Sequence, residues 1–277
     1  MAGLRSVIPI ATSSVATTTL AQIALPLCLG LAYARRARTL AREHRPVPGW
    51  RGACFYGGMV MVAVALSALD GPARELLVAH VASELLFGDL AALAIVLGLT
   101  GPLIAPLARV APLRRLRVLA NPLIAYPVWA IDLYVWHLPV FYEAALRHPG
   151  VQALQHAMLL GCGVLMWMCL LGPLAMPGWF GNAAKLAYIL AVRLTAAVLA
   201  NLLLWSGNVF YAYYSSGDAT RHISPVADQN LAGAAMTVQQ SLVTLGLLCW
   251  LYLRVSWRPA AARRGRFPSA RSWLRTR

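Results

Sequence analysis

Apolar residues fall along this chain in blocks of roughly 20, the length that crosses a bilayer as a helix. Short polar segments separate them. The blocks cover about 8–33, 52–70, 76–104, 119–141, 152–175, 184–209 and 231–254. None alternates with period two, so spanning strands are excluded and helices predicted. Pro72, Pro102, Pro106, Pro139, Pro149, Pro173, Pro177 and Pro225 sit at or near block ends, as helix punctuation does. Pro26 and Pro127 lie inside blocks and predict kinks. The pattern gives an all-α membrane protein, a seven-transmembrane-helix bundle over residues 1–257. Residues 258–277 form a basic tail expected to be disordered.

Composition agrees. The chain is 60% hydrophobic and 12% charged, against about 25% charged for soluble domains. A net charge of +15 raises the question of nucleic acid. Its distribution excludes that partner, because the basic residues flank the apolar blocks. Alternate loops and the tail hold 19 of the 24 basic residues, among them Arg35, Arg36, Arg51, Arg109, Arg114, Lys185 and Arg254. The opposite loops hold only Arg5, Arg74, Arg147 and Arg221, with Asp70, Glu75, Glu143, Asp218 and Asp228. This split places the N-terminus outside and the C-terminus in the cytoplasm. The tail then faces the anionic inner leaflet of the lipid bilayer. With Lys185 the sole lysine against 23 arginines, a GC-rich bacterial genome and a bacterial inner membrane are expected. Ala32-Tyr33-Ala34 resembles a signal-peptide cleavage site, but the long apolar block before it and Arg35, Arg36 and Arg38 after it mark an uncleaved span. The five cysteines lie in apolar blocks without a C-x-x-C, which predicts free thiols.

Polar groups at membrane depth carry the candidate chemistry. His80, His137 and His156 each stand four residues from an outer block end, roughly 6 Å deep at ~1.5 Å per residue. Three imidazoles from three helices at one level predict a shared outward-facing metal pocket. Local hydrogen bonding of interfacial histidines is the blander reading. Glu84 follows His80 at i+4 on one helix face. Glu84 and Asp132 lie about a turn deeper, where a carboxylate can fix an imidazole tautomer. Asp89 and Arg193 share a level nearer the cytoplasm and predict a structural ion pair. Met158, Cys162, Met166 and Cys169 form one helical stripe, soft enough for Cu(I), although such residues at helix contacts more commonly serve as packing. Asp228 resembles a helix N-cap. Gly233 resembles a close-packing position, and Met236 stands at the histidine level.

Trp136-His137-Leu138-Pro139, Tyr142, Ala144-Ala145-Leu146, His156 and Asp228-Gln229…Ala232-Gly233…Met236 together resemble the CtaG-like assembly factors of caa-type cytochrome c oxidase. The resemblance covers most of the chain. It implies an inner-membrane protein that assists cytochrome c oxidase subunits, at the copper-insertion step. Two stretches depart from the family pattern. Where the family has His-Met-x-x-His, this chain has His80-Val81-Ala82-Ser83-Glu84. Where it has His-x-x-Glu-His, this chain has Gln152-Ala153-Leu154-Gln155-His156. The expected metal set is His80, Glu84, His137, His156 and Met236, with copper as the ion and Asp132 and Asp228 behind it. No nucleophile–base pair, phosphate loop or H-E-x-x-H is present, so no enzyme is expected. A small metal-ion or proton-coupled transporter is the alternative, suggested by the buried Glu84, Asp89, Asp132 and Arg193.

Overall fold

A computed structural model describes residues 9–106 and 118–256. Its helices are α1 (Pro9–Arg42), α2 (Gly49–Ser67), α3 (Asp70–Glu75), α4 (Leu77–Glu84), a π-helical segment (Leu85–Ala91), α5 (Ala92–Gly98) and α6 (Gly101–Ile104). After these come α7 (Pro122–His137), α8 (Pro139–Arg147), α9 (Pro149–Leu171), α10 (Asn182–Trp205), a 3-10 turn (Ala212–Tyr214), α11 (Ser215–Thr220) and α12 (Pro225–Ser256). No strand occurs among the described residues. The expected Arg109–Arg117 loop and the basic tail lie outside them.

Five stretches are long and apolar enough to cross a membrane: α2, the continuous Leu77–Gly98, α9, α10 and α12. A sixth exists if α7 and α8, bent by 71°, count as one. The chain is thus a multi-pass membrane protein. The remaining block of the expected seven corresponds to α1, whose 34 residues run well past the predicted end at 33.

Local chemistry sets the helix ends. Asn121 caps α7, its side chain accepting from the Leu123 N–H at 3.0 Å, with Pro122 at the first helical position. Leu138 is extended at φ −67°, ψ 132° because Pro139 disfavours a helical residue before it. That break ends α7 on His137 and turns α8 across the bundle end, where the sequence had predicted one span to 141. Pro26 and Pro127 lie inside α1 and α7, as expected.

Close helix approaches fix rotation. A Cβ on Gly163 of α9 would collide with the Gly88 carbonyl of the π segment. A Cβ on Gly233 of α12 would come within 2.5 Å of the Leu204 nitrogen and 2.6 Å of the Ala200 oxygen of α10. Only glycine permits these contacts. Basic side chains cap carbonyls at one end of the bundle. Arg51 Nη1 donates to the Leu97 and Leu99 oxygens at 3.1 and 2.6 Å, and Lys185 Nζ to the Leu170 oxygen at 3.2 Å. The histidines lie toward the other end.

Candidate metal centre

Glu84, the last residue of α4, is 7% exposed and draws in two imidazoles. His80 reaches it from the preceding turn, with Nε2 3.4 Å from Oε1. His137 reaches it from the end of α7, with Nε2 3.6 Å from Oε2. Backbone carbonyls orient both rings from behind. His137 Nδ1 lies 2.8 Å from the Leu133 oxygen, and His80 Nδ1 lies 3.3 Å from the Ala73 oxygen. A carbonyl only accepts, so each Nδ1 carries its hydrogen. In the neutral ring Nε2 then presents a lone pair to the carboxylate. Both Nε2 atoms and Glu84 Oε2 are buried without a hydrogen-bond partner. Orphaned polar atoms of this kind are rare in protein interiors.

The third partner of Glu84 is Gln155, not His156. Gln155 has no exposed surface, and its Nε2 donates to Glu84 Oε1 at 2.8 Å. His156 is the next residue on α9 and is turned by about 100°. Its ring packs edge-on against Phe87, with centroids 4.8 Å apart. It lines a separate apolar pocket with Met59 and Leu160. The expected convergence of three histidines is therefore corrected to two histidines and an amide. Depth brought His156 to the right level; helix rotation turned it away. Among the described residues no group of three or more His, Cys, Asp or Glu side chains is placed to hold a metal ion.

Met236 is 2% exposed and lines a central cavity of about 60 Å3 with Glu84 and His137. Asp132 does not lie under an imidazole. It accepts from Trp136 Nε1 of its own helix at 3.0 Å. Asp228 is not the cap of its own helix. Ser224 fills that role, accepting from the Ala227 N–H at 3.1 Å. Asp228 instead reaches across to α4, accepting from the Leu77 and Val78 N–H groups at 2.5 and 3.0 Å. It anchors the first turn of the helix that carries His80 and Glu84. The carboxylate also suits the positive end of that helix.

Three tyrosines wall the site. Tyr142 of α8, fully buried, packs its ring 4.9 Å from that of His80 and 5.9 Å from that of His137. Tyr211 donates to the His137 carbonyl at 2.7 Å, and Tyr214 to the Ala73 carbonyl at 3.3 Å. Burial pushes the Tyr211 phenol above its ordinary pKa, which keeps it a donor. Gln229 holds this loop, accepting from the Phe210 N–H at 2.9 Å and donating to the Asn208 oxygen at 3.0 Å. Of these three the sequence singled out only Tyr142, as part of the family pattern.

At the far wall of the cavity Arg193 Nη1 lies 3.2 Å from Asp89 Oδ2, so the ion pair is present. Gln239 Nε2 donates to the same oxygen at 2.7 Å, and Trp167 Nε1 donates to Oδ1 at 2.8 Å. Bonding in the π segment runs i to i+5, which brings residues five apart onto one face. Glu84 and Asp89 thereby line one cavity. Asp89 and Asp132 are each committed to partners, which gives the transporter alternative no support. The sulfur stripe is also broken. Met158 is 39% exposed, while Met166 and Cys169 belong to the packed core.

Against known proteins, a family model described as cytochrome c oxidase caa3 assembly factor (Caa3_CtaG) matches residues 31–258. No curated protein and no solved structure matches the chain. With most of its length covered by that match, the chain belongs to the family of cytochrome c oxidase caa3 assembly factors.

Proposed function

We propose that this protein is a bacterial inner-membrane assembly factor that holds copper for cytochrome c oxidase between His80, Glu84 and His137. One observation carries the reading: the Nε2 atoms of two imidazoles converge on one carboxylate, buried and without a hydrogen-bond partner. The separations of 3.4 and 3.6 Å are long for charge-assisted hydrogen bonds. They suit two ligands on one ion, which at metal–ligand bonds of about 2.0–2.1 Å and a tetrahedral angle stand roughly 3.3 Å apart. A cation between them removes the repulsion of lone pairs facing an anion. Imidazoles and a carboxylate accept Cu(II) or Zn(II), and the Met236 thioether at the cavity wall adds a soft donor for Cu(I). Gln155 holds Glu84 in place as an outer partner. Seven spans, with the N-terminus outside, complete the reading and put the site near the outer face.

Metal analysis of the purified protein tests it. About one copper per chain is expected in wild type, with occupancy lost in His137→Ala and Glu84→Gln. Copper in the co-expressed oxidase falls with it. Copper content equal in wild type and both variants overturns the reading.

A further inference from the structure

Two glutamines stand one above the other on α9. Gln155 has no exposed surface and donates to Glu84, yet its own Oε1, also buried, has no partner. Gln152 comes three residues earlier on the same helix face, about 4.5 Å nearer the end of the bundle. It is buried, and its amide is gripped from α3. Arg74 Nη2 donates to Gln152 Oε1 at 3.1 Å, and Gln152 Nε2 donates to Asp70 Oδ1 at 3.4 Å. Arg74 closes the ring, its Nε and Nη2 donating to the Asp70 oxygens at 3.2 and 3.3 Å. The side chains of Asp70 and Arg74 are 40% and 38% exposed, so the ring lies at the surface. A line of side-chain oxygens thus runs from exposed Asp70 through Gln152 and Gln155 to the carboxylate between His80 and His137.

We infer that this line is the route by which a metal cation reaches the buried site, and that the Arg74 guanidinium closes its mouth. The identity of the cation rests on the proposed copper site. His80, Glu84 and His137 are all buried, so an ion needs a way in. The other walls offer a cation little. Tyr142 presents its ring, and the Tyr211 and Tyr214 hydroxyls are bonded to carbonyls. Asp228 is held by two backbone N–H groups. The deeper cavity ends at Arg193, itself a cation paired with Asp89. The α9 side alone among these leads to an exposed carboxylate. Arg74 guards it by neutralising Asp70, occupying Gln152 Oε1 and setting a positive charge where a cation must pass. An ion pair this exposed is weak, so the guanidinium swings aside readily and frees both oxygens together. Amide oxygens match copper poorly and imidazoles match it well. The two glutamines therefore pass the ion on, and the histidines keep it.

Two measurements on the purified full chain test this. In the metal-free protein, modification of each histidine by diethyl pyrocarbonate is followed by mass spectrometry. His80 and His137 are expected to react several-fold faster in Arg74→Ala than in wild type, with the exposed His222 unchanged. Equal rates at His80 and His137, or a rise at His222 as large as theirs, overturn the gate. Aqueous Cu(II) is then added, and its arrival is followed by stopped-flow quenching of tryptophan fluorescence. Loading is expected to be several-fold faster in Arg74→Ala and several-fold slower in Gln152→Leu, with the same final copper per chain. Wild-type rates in both variants overturn the route. The two readings fail separately. A protein that takes up no copper sinks the copper site, and the histidine reagent still decides the gate. A protein that holds copper but loads at one rate with or without Arg74 sinks the gate alone.

Discussion

Gln155 Nε2 meets Glu84 Oε1 at 2.8 Å, from a side chain with no exposed surface. The amide can only donate through that nitrogen, so it favours the ionised carboxylate. Gln155→Leu keeps the volume and removes the donor. Hydrogen bonds to charged groups contribute about 1.5–3 kcal/mol. The variant is expected to lose stability in that range and to bind copper more weakly. Thermal unfolding in detergent, with and without copper, measures both. An unchanged copper affinity would remove Gln155 from the site.

Asp89 and Arg193 are paired inside the bundle at 3.2 Å, with Gln239 and Trp167 completing the carboxylate. Asp89→Asn leaves a guanidinium without its counter-charge. Breaking one side of a buried pair costs about 3–5 kcal/mol. Membrane levels and melting temperature are expected to fall sharply. The double variant Asp89→Asn, Arg193→Gln removes both charges and should recover part of the loss. Wild-type stability in Asp89→Asn alone would show that the pair contributes nothing.

Asp228 caps a helix distant in sequence, through the Leu77 and Val78 N–H groups. Loss of a cap costs about 0.5–2 kcal/mol. Here it also frees the turn that leads to His80. Asp228→Ala should therefore lower both stability and copper occupancy, whereas Asp228→Asn, which retains an acceptor, should do less. Hydrogen exchange at residues 77–80 reads the frayed turn directly. Equal exchange in wild type and Asp228→Ala would contradict the cap.

The loops of one side and the tail hold 19 basic residues, against four in the opposite loops, and on that split we propose a cytoplasmic C-terminus. A reporter fused after Arg277 should be active only if it requires the cytoplasm. Periplasmic activity of such a fusion would invert the bundle and move the proposed metal site to the inner face.

What depends on hydropathy and local chemistry is legible along the chain. Block length and the lack of alternation make the chain helical and membrane-spanning. Prolines mark helix ends, and Trp136-His137-Leu138-Pro139 with Asp228-Gln229 carries the family. Depth along a helix follows from counting residues, which is how His80, His137 and His156 came to one level, with Glu84 a turn deeper, and Asp89 to that of Arg193. Rotation about the helix axis does not follow from counting; it is set by packing between helices. Contacts at Gly163 and Gly233 set the faces of α9 and α12 through packing with other helices. That packing turned Gln155 toward Glu84 and His156 toward Phe87. The π segment put Glu84 and Asp89 on one cavity, five residues apart where an α-helix would separate them. Asp228 reads locally as the cap of its own helix because sequence proximity is all that a local reading contains. Its partners lie about 150 residues earlier, brought near only when the bundle closes.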